Sequence, residues 1–424
     1  MEIVVKNIGK VKEANIKING ITVIAGENDT GKSTISKALF TVFNSFYNIN
    51  DKVKQQRKRS IENIINKHTV NEIDFDENFF NTFFKNSNSI NLIANTIIEN
   101  FATYIKDNNK LKNEILNYFK NFDLKLKNST IEDISQKIGV ILNISNKEIE
   151  SSILTDNLNN EFNGQINNIF INEKGIIEIK LKNKQLKFII SNDKVEDIEK
   201  TSETIITSEA VYLDDPFIID KNFDNEKISN HKIFLVNKLF YDDESTNNNV
   251  EKIAISKKLE NIYNRLNIVC PGNMVESNKN TNDFSYRFNN KELDIKNLSA
   301  GLKTFVILKT LLEKGILEEN GVIILDEPEI HLHPAWQVIF AELIVLIQKE
   351  FNMHILLNTH SPYFLNAIEI YAEKHNIKEK CNFYSAYLSG QFSEFKDVTD
   401  NIEEIYYKLA RPFQDLENER YSDD

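Results

Sequence analysis

The chain has 424 residues, 41% hydrophobic and 27% charged, which excludes a collagenous or wholly disordered polymer. Against 63 Asp and Glu stand 51 Lys and Arg, so the net charge of −12 excludes a general electrostatic affinity for nucleic acid, though not a local basic surface. No run approaches the ~18 apolar residues of a membrane span, and no signal-peptide pattern opens the chain; with two cysteines, Cys270 and Cys381, it reads as a cytoplasmic protein of a reducing compartment.

Glu2 to Asn7 and Val11 to Ile18 alternate apolar and polar residues and predict strands. Asn19-Gly20 lies between NIKI and ITVIAG, and Asn-Gly between β-branched residues predicts a tight hairpin, because both positions accept positive φ. A helix is expected from Lys32 to Phe46. Across 49–165 the spacing of Ile61, Ile64, Ile65 and of Phe79, Phe83, Phe84 predicts a mostly helical arm, without the sustained heptads of a long coiled coil.

Residues 166–220 change to period two and predict two or three strands turned at Gly175 and near Asn183, then a short strand Ala210 to Leu213. A second, mostly helical insertion is expected over 221–283. From 284 to 424 an α/β rhythm is expected: a strand Gly321 to Leu325, a helix Pro334 to Phe351 with Pro in its first turn, a strand His354 to Asn358, and a helix capped by Ser361. The charged end, Asp415 to Asp424, reads as frayed. Residues 1–48 and 284–424 would then build one α/β body.

Gly26-Glu27-Asn28-Asp29-Thr30-Gly31-Lys32-Ser33 matches GxxxxGK[ST] between an apolar strand and a helix. Such a loop wraps its N–H groups around phosphate oxygens at the positive end of a helix. Lys32 would reach the β- and γ-phosphates, Ser33 would hold Mg²⁺ and Thr34 would add a donor to the α-phosphate. The run Val322 to Leu325 ends in Asp326 and Glu327, a carboxylate for the magnesium shell and a base or orienter for the attacking water. Leu298-Ser299-Ala300-Gly301-Leu302 opens another helix, where Ser299 and the Gly301 N–H could meet a γ-phosphate. Asn358-Thr359-His360-Ser361-Pro362 puts His360 at a strand end.

In this order the four segments resemble the ABC-type ATPase superfamily, in its Rad50/SMC-like and overcoming-lysogenization-defect (OLD) branch. DEPEIHLHPAWQ and NTHSPYFL are similar to the OLD-type group, and the resemblance covers residues 1–46 and 205–413. It implies a P-loop NTPase head of α/β class with an inserted helical arm and an antiparallel β subdomain. It also implies ATP and Mg²⁺, with Ser33 and Asp326 as metal residues, Glu327 and His360 as catalytic residues, and a homodimer sandwiching ATP between the Walker residues of one subunit and Ser299 and Gly301 of the other. A higher oligomer stays open.

Ser299 lies 267 residues after Lys32, a gap far longer than a transport subunit carries, which sets that function aside. Only 64 residues follow His360, too few for the Toprim nuclease domain of OLD-type enzymes, so a stand-alone ATPase with a separate effector is implied. The ATPase subunits of Septu- and PARIS-type anti-phage systems are similar, and the implied partner is a nuclease or toxin; the alternative is a DNA-repair clamp of the RecF or Rad50 kind. The family's phosphate-sensing glutamine has no secure match, Gln136 being a poor one. His331 and His333 lack the further ligands a metal needs. The cluster Lys52, Lys54, Arg57, Lys58, Arg59 reads as a solvated helix face, with nucleic-acid phosphate as the competing reading. Trp336 and Phe364 read as core.

Overall fold

The structure, a computed structural model, describes residues 1–72, 87–121, 126–202, 205–220, 228–241, 259–278 and 283–421. It divides into two compact units, Met1–Tyr47 with Leu154–Asp424, and Asn48–Ile153. Among the described residues no helix is long and apolar enough to cross a membrane.

The strands of the first unit are β1 (Glu2–Ile8), β2 (Val11–Lys17), β3 (Ile21–Gly26), β4 (Gly175–Leu181), β5 (Lys184–Ser191), β6 (Lys194–Lys200), β7 (Ala210–Leu213), β8 (Asn273–Asn278), β9 (Asp283–Phe288), β10 (Lys291–Asp294), β11 (Val322–Asp326), β12 (His354–Thr359), β13 (Cys381–Ser389) and β14 (Phe392–Asp397). Among the described residues, eleven form one sheet in the order β6-β5-β4-β1-β2-β14-β13-β3-β12-β11-β7, and β10-β9-β8 form a small antiparallel sheet. The five strands β7, β11, β12, β3 and β13 are mutually parallel. They are apolar on both faces: Val23, Ile24, Ile323, Ile324, Ile355 and Leu356 are all buried. Parallel strands covered by helices on both faces need continuous apolar runs. Each wholly buried aliphatic side chain contributes ~1.5–3 kcal/mol.

This parallel arrangement places the site. Strands running the same way bring their carboxyl ends to one edge, where α/β sheets bind ligands. The loop after β3, Asp326 at the end of β11, Thr359 at the end of β12 and Leu213 at the end of β7 therefore converge by topology. The helix after β3 spans Lys32–Phe46, and the helix between β11 and β12 spans Pro334–Phe351. The rest of the large sheet is antiparallel except where β14 pairs with β2 in parallel, and its β5 alternates buried Leu186, Phe188 and Ile190 with more exposed residues.

The Asn19-Gly20 hairpin does not form. β2 pairs with β1 and β14, whereas β3 pairs with β12 and β13. Gly20 has φ +76°, and a Cβ there would lie 2.4 Å from the Lys380 carbonyl oxygen. The glycine serves a close approach of two chain segments, not a reversal between paired strands. The hairpin is β1–β2, turning at Gly9. Gly175 begins β4 instead of turning the chain, and β4 reverses into β5 across Lys182 and Asn183. The last helix, Glu403–Tyr421, covers the described part of the segment read as frayed, 415–421; 422–424 lie outside the described residues. Phe364 is wholly buried, and the half-buried Trp336 sets its ring edge-on to Phe305 at 5.8 Å. Phe79, Phe83 and Phe84 lie outside the described residues.

In the second unit, helices Ile49–Glu72, Ser87–Glu99, Phe101–Lys106, Asn108–Asn121 and Asn128–Asn143 pack around Ile61, Ile65, Ile97, Leu111, Ile115 and Ile138. The basic cluster is not one solvated face. Arg57 is buried, donates from Nη1 to Asn146 Oδ1 at 2.8 Å and lies 4.7 Å from the centre of the Phe101 ring. Its charge is used internally, while Lys54 and Arg59 are exposed. Gln136 lines a groove of this unit with Tyr104, Gly139 and Val140.

Candidate functional site

The loop 26–33 is shaped by steric demands that its sequence meets. A Cβ on Gly26 would lie 2.3 Å from the Ala386 carbonyl oxygen, so β13 leaves room only for hydrogen. Asp29 and Gly31 take φ +66° and +76°. Gly31 precedes helix Lys32–Phe46, and no side chain caps that helix, which leaves its leading N–H groups to another acceptor. Thr30 donates its hydroxyl to Glu27 O at 2.7 Å, and Asp29 is ion-paired with Lys10. Asn28 and Ser33 are exposed. Lys32 is buried, and its Nζ donates to the carbonyls of Gly26 (3.0 Å) and Glu27 (2.8 Å), 3.7 Å from the Glu327 carboxylate.

At the end of β11 the two carboxylates have different surroundings. Asp326 accepts from Asn358 Nδ2 on one oxygen and from the Tyr212 hydroxyl on the other, both at 2.8 Å, and the same Asn358 amide nitrogen lies 2.8 Å from Ser36 Oγ. Glu327 adopts φ +52°, a conformation costing a non-glycine residue ~1–3 kcal/mol, held by its N–H donating to Asn358 O at 3.0 Å. Its carboxylate lies 3.1 Å from His360 Nδ1. Contact with Glu327 raises the His360 pKa from its ordinary value despite burial; contact with His360 lowers that of Glu327. Burial lowers the Lys32 pKa, opposed by Glu327 and Asp326.

The His360–Glu327 pair predicts a pH effect. A raised histidine pKa means stabilisation present below the unfolded value of 6.5 and lost as pH rises through the folded value. A lowered carboxylate pKa means stabilisation present above the unfolded value of 4.5 and lost as pH falls through the folded value. The urea midpoint of the ligand-free protein, measured relative to His360→Gln, is therefore expected to be most favourable between those limits and to decline from mildly acidic to mildly alkaline pH. A difference flat across that range would show that the pair contributes nothing.

Helix Ala300–Glu313 carries the third segment. Ser299 caps it, its Oγ accepting from the Leu302 N–H at 3.4 Å. A Cβ on Gly301 would lie 2.9 Å from His331 O, with the Trp336 ring at 3.3 Å. Ser299 and Gly301 thus share a neighbourhood with the loop 331–333, while Lys32, Asp326, Glu327 and His360 form the other cluster. His331 is edge-on to Phe217 at 5.5 Å, and His333 Nδ1 accepts from the Ala335 N–H at 3.3 Å. Among the described residues no group of three or more His, Cys, Asp or Glu is arranged to hold a metal.

Several residues of the site escaped the sequence reading. Glu329 is buried, and its Oε1 accepts from the Thr359 hydroxyl and from the His360 N–H at 3.3 Å; burial raises its pKa. Gln337 accepts from the Ser361 hydroxyl at 2.7 Å and donates to Leu332 O at 3.1 Å, tying the His360 loop to the 331–333 loop. Tyr212 and Asn358 fix Asp326. The available signals were a second acid two residues beyond Glu327 and polar residues inside two apolar runs.

Residues 1–365 match the AAA ATPase domain family. Retron Vc95 probable ATPase of Vibrio cholerae serotype O1 biovar El Tor is 24% identical over 433 aligned residues, covering 94% of this chain and 76% of that relative. Retron Ec83 probable ATPase of Escherichia coli is 34% identical over 92 residues, covering 19% of this chain and 16% of the relative. Among solved structures, an SMC head bound to the C-winged helix domain of ScpA aligns with 95% of this chain and 98% of its own at 11% identity, with a TM-score of 0.47.

Proposed function

From the premise that the chain belongs to the AAA ATPase domain family, we propose that it binds ATP at the loop 26–34 and hydrolyses it with Glu327 and His360. The observation that carries this reading is the cluster of Lys32, Glu327 and His360 beside Asp326, at the one sheet edge where the parallel strands end. Without ligand, Lys32 rests on two loop carbonyls, and the single Glu327 carboxylate is shared between Lys32 at 3.7 Å and His360 at 3.1 Å. A triphosphate entering the loop presents a more concentrated negative charge, so Lys32 and His360 turn to it. Glu327 is then free to orient a water molecule and take its proton.

The donor set fits Mg²⁺. Ser33 is exposed at the helix start, and each Asp326 oxygen has accepted one hydrogen bond, leaving it a further lone pair. When bound, the ion would neutralise charge on the β- and γ-phosphates. Ser33 and Asp326 would hold it.

We further propose that ATP joins two copies, with Ser299 and Gly301 of one facing the triphosphate of the other. Their helix start packs against the 331–333 loop of its own chain, and Ile330 beside that loop is 58% exposed. A mixing experiment tests the composite site. Lys32→Ala and Ser299→Arg chains should each be inactive alone, yet an equal mixture should recover about a quarter of wild-type turnover, because random pairing gives half the dimers one intact site. No recovery, with both variants folded, would sink the sandwich.

We also propose a role in which the ATP state controls a separate effector, a nuclease or toxin, in anti-phage defence; the similarity to two retron probable ATPases supports the ATPase part of that reading. A DNA clamp fits less well, since the net charge is −12 and Arg57 is buried. Turnover stimulated by DNA, with a steep salt dependence, would reverse that preference.

A further inference from the structure

Tyr212 lies in β7, beside the strand that carries Asp326, and its side chain is buried to 1% exposure. A buried tyrosine where phenylalanine would pack equally well carries a hydroxyl whose desolvation must be offset by a hydrogen bond. That bond goes to Asp326 Oδ2 at 2.8 Å. Burial pushes the phenol well above its ordinary pKa, with the charge of Asp326 adding to the effect, so the group remains a proton donor.

The ring is held as firmly as its hydroxyl. His231 lies against it with ring centroids 4.4 Å apart, and Phe40 lies 6.0 Å away. His231 cannot turn: Nδ1 is 2.7 Å from Glu161 Oε2, its backbone N–H donates to Glu161 Oε1 at 2.8 Å, and Nε2 is 3.1 Å from Asp214 Oδ2. The Glu161 side chain is wholly buried. Two carboxylates around one imidazole favour its charged form despite burial.

The geometry points to Tyr212 as a positioning residue for Asp326: its hydroxyl takes a lone pair of one carboxylate oxygen, Asn358 takes one of the other, and His231, clamped by Glu161 and Asp214, locks the ring that does so. Both oxygens are thereby turned to a fixed orientation, with the remaining lone pairs left for a divalent cation. This rests on the assignment of Asp326 to the metal. Partners of this kind set cation affinity through the ligand they orient, and their loss typically weakens binding by ~10–100-fold.

The test uses the full chain with a non-hydrolysable ATP analogue and Mn²⁺ followed by electron paramagnetic resonance. Tyr212→Phe should weaken Mn²⁺ binding at least ~10-fold while leaving affinity for the analogue in EDTA unchanged. A purely structural defect would lower that affinity too. His231→Gln, which removes the ring packed on Tyr212 but can still hydrogen-bond, should weaken Mn²⁺ in the same direction by a smaller factor. Asp326→Asn is the reference. If Asp326→Asn weakens Mn²⁺ binding and Tyr212→Phe does not, the positioning role is overturned alone. If Asp326→Asn binds Mn²⁺ like wild type, the metal assignment falls and this inference falls with it.

Discussion

Lys32→Ala is expected to weaken ATP binding by at least ~100-fold, corresponding to ~2.7 kcal/mol, with little change in thermal stability. The ammonium is 4% exposed, and its burial already lowers its pKa. Such a charge is costly to hold without an anion, and here two carbonyls and the more distant Glu327 only partly compensate it. A triphosphate supplies the missing charge, and each hydrogen bond to a charged group is worth ~1.5–3 kcal/mol, so losing two such bonds accounts for the affinity change. The folded protein loses less. Alanine leaves the Gly26 and Glu27 carbonyls short of a donor, but the removal of a desolvated cation offsets that loss. Titration of a fluorescent ATP analogue, beside a melting curve, separates the two quantities. An affinity within threefold of wild type would remove the loop from the ATP site.

The shape of the loop 26–33 was legible because its constraints are local. Gly26 and Gly31 are required by contacts of a few ångströms and by one positive φ, and a strand and a helix flank them in sequence. Asp326, Glu327 and His360 were legible for the same reason: each ends a short apolar run, and parallel strands place such ends together. What escaped was set by partners far along the chain. The destination of β3 depends on β12 and β13, more than 300 residues later, so Asn19-Gly20 carries a hairpin signal without a hairpin. Arg57 looked like one cation among five until Asn146 and Phe101 came against it. Glu329 and Tyr212 are polar residues in or beside apolar strands, and only the fold shows that each is hydrogen-bonded to a site residue.

Glu327→Gln is expected to lower turnover by ~1,000-fold, about 4 kcal/mol of activation free energy, while ATP binding is retained or tightened several-fold. Glutamine keeps the size of the side chain and tolerates φ +52° no worse than glutamate, so the backbone held by Asn358 O stays in place. What changes is charge. The carboxylate lies 3.1 Å from His360 and 3.7 Å from Lys32 in the ligand-free protein and would compete with an incoming phosphate for both side chains. A neutral amide removes that competition, which favours binding, and cannot accept the proton of the attacking water, which stops the chemistry. Two copies joined by ATP would then remain joined, and light scattering should show an ATP-dependent doubling of mass that persists in the variant and decays with turnover in wild type. The two readouts fail separately. Turnover within a few-fold of wild type would pass the base role to another group, whereas lost turnover with no change in mass would keep Glu327 as base and discard the ATP-joined pair.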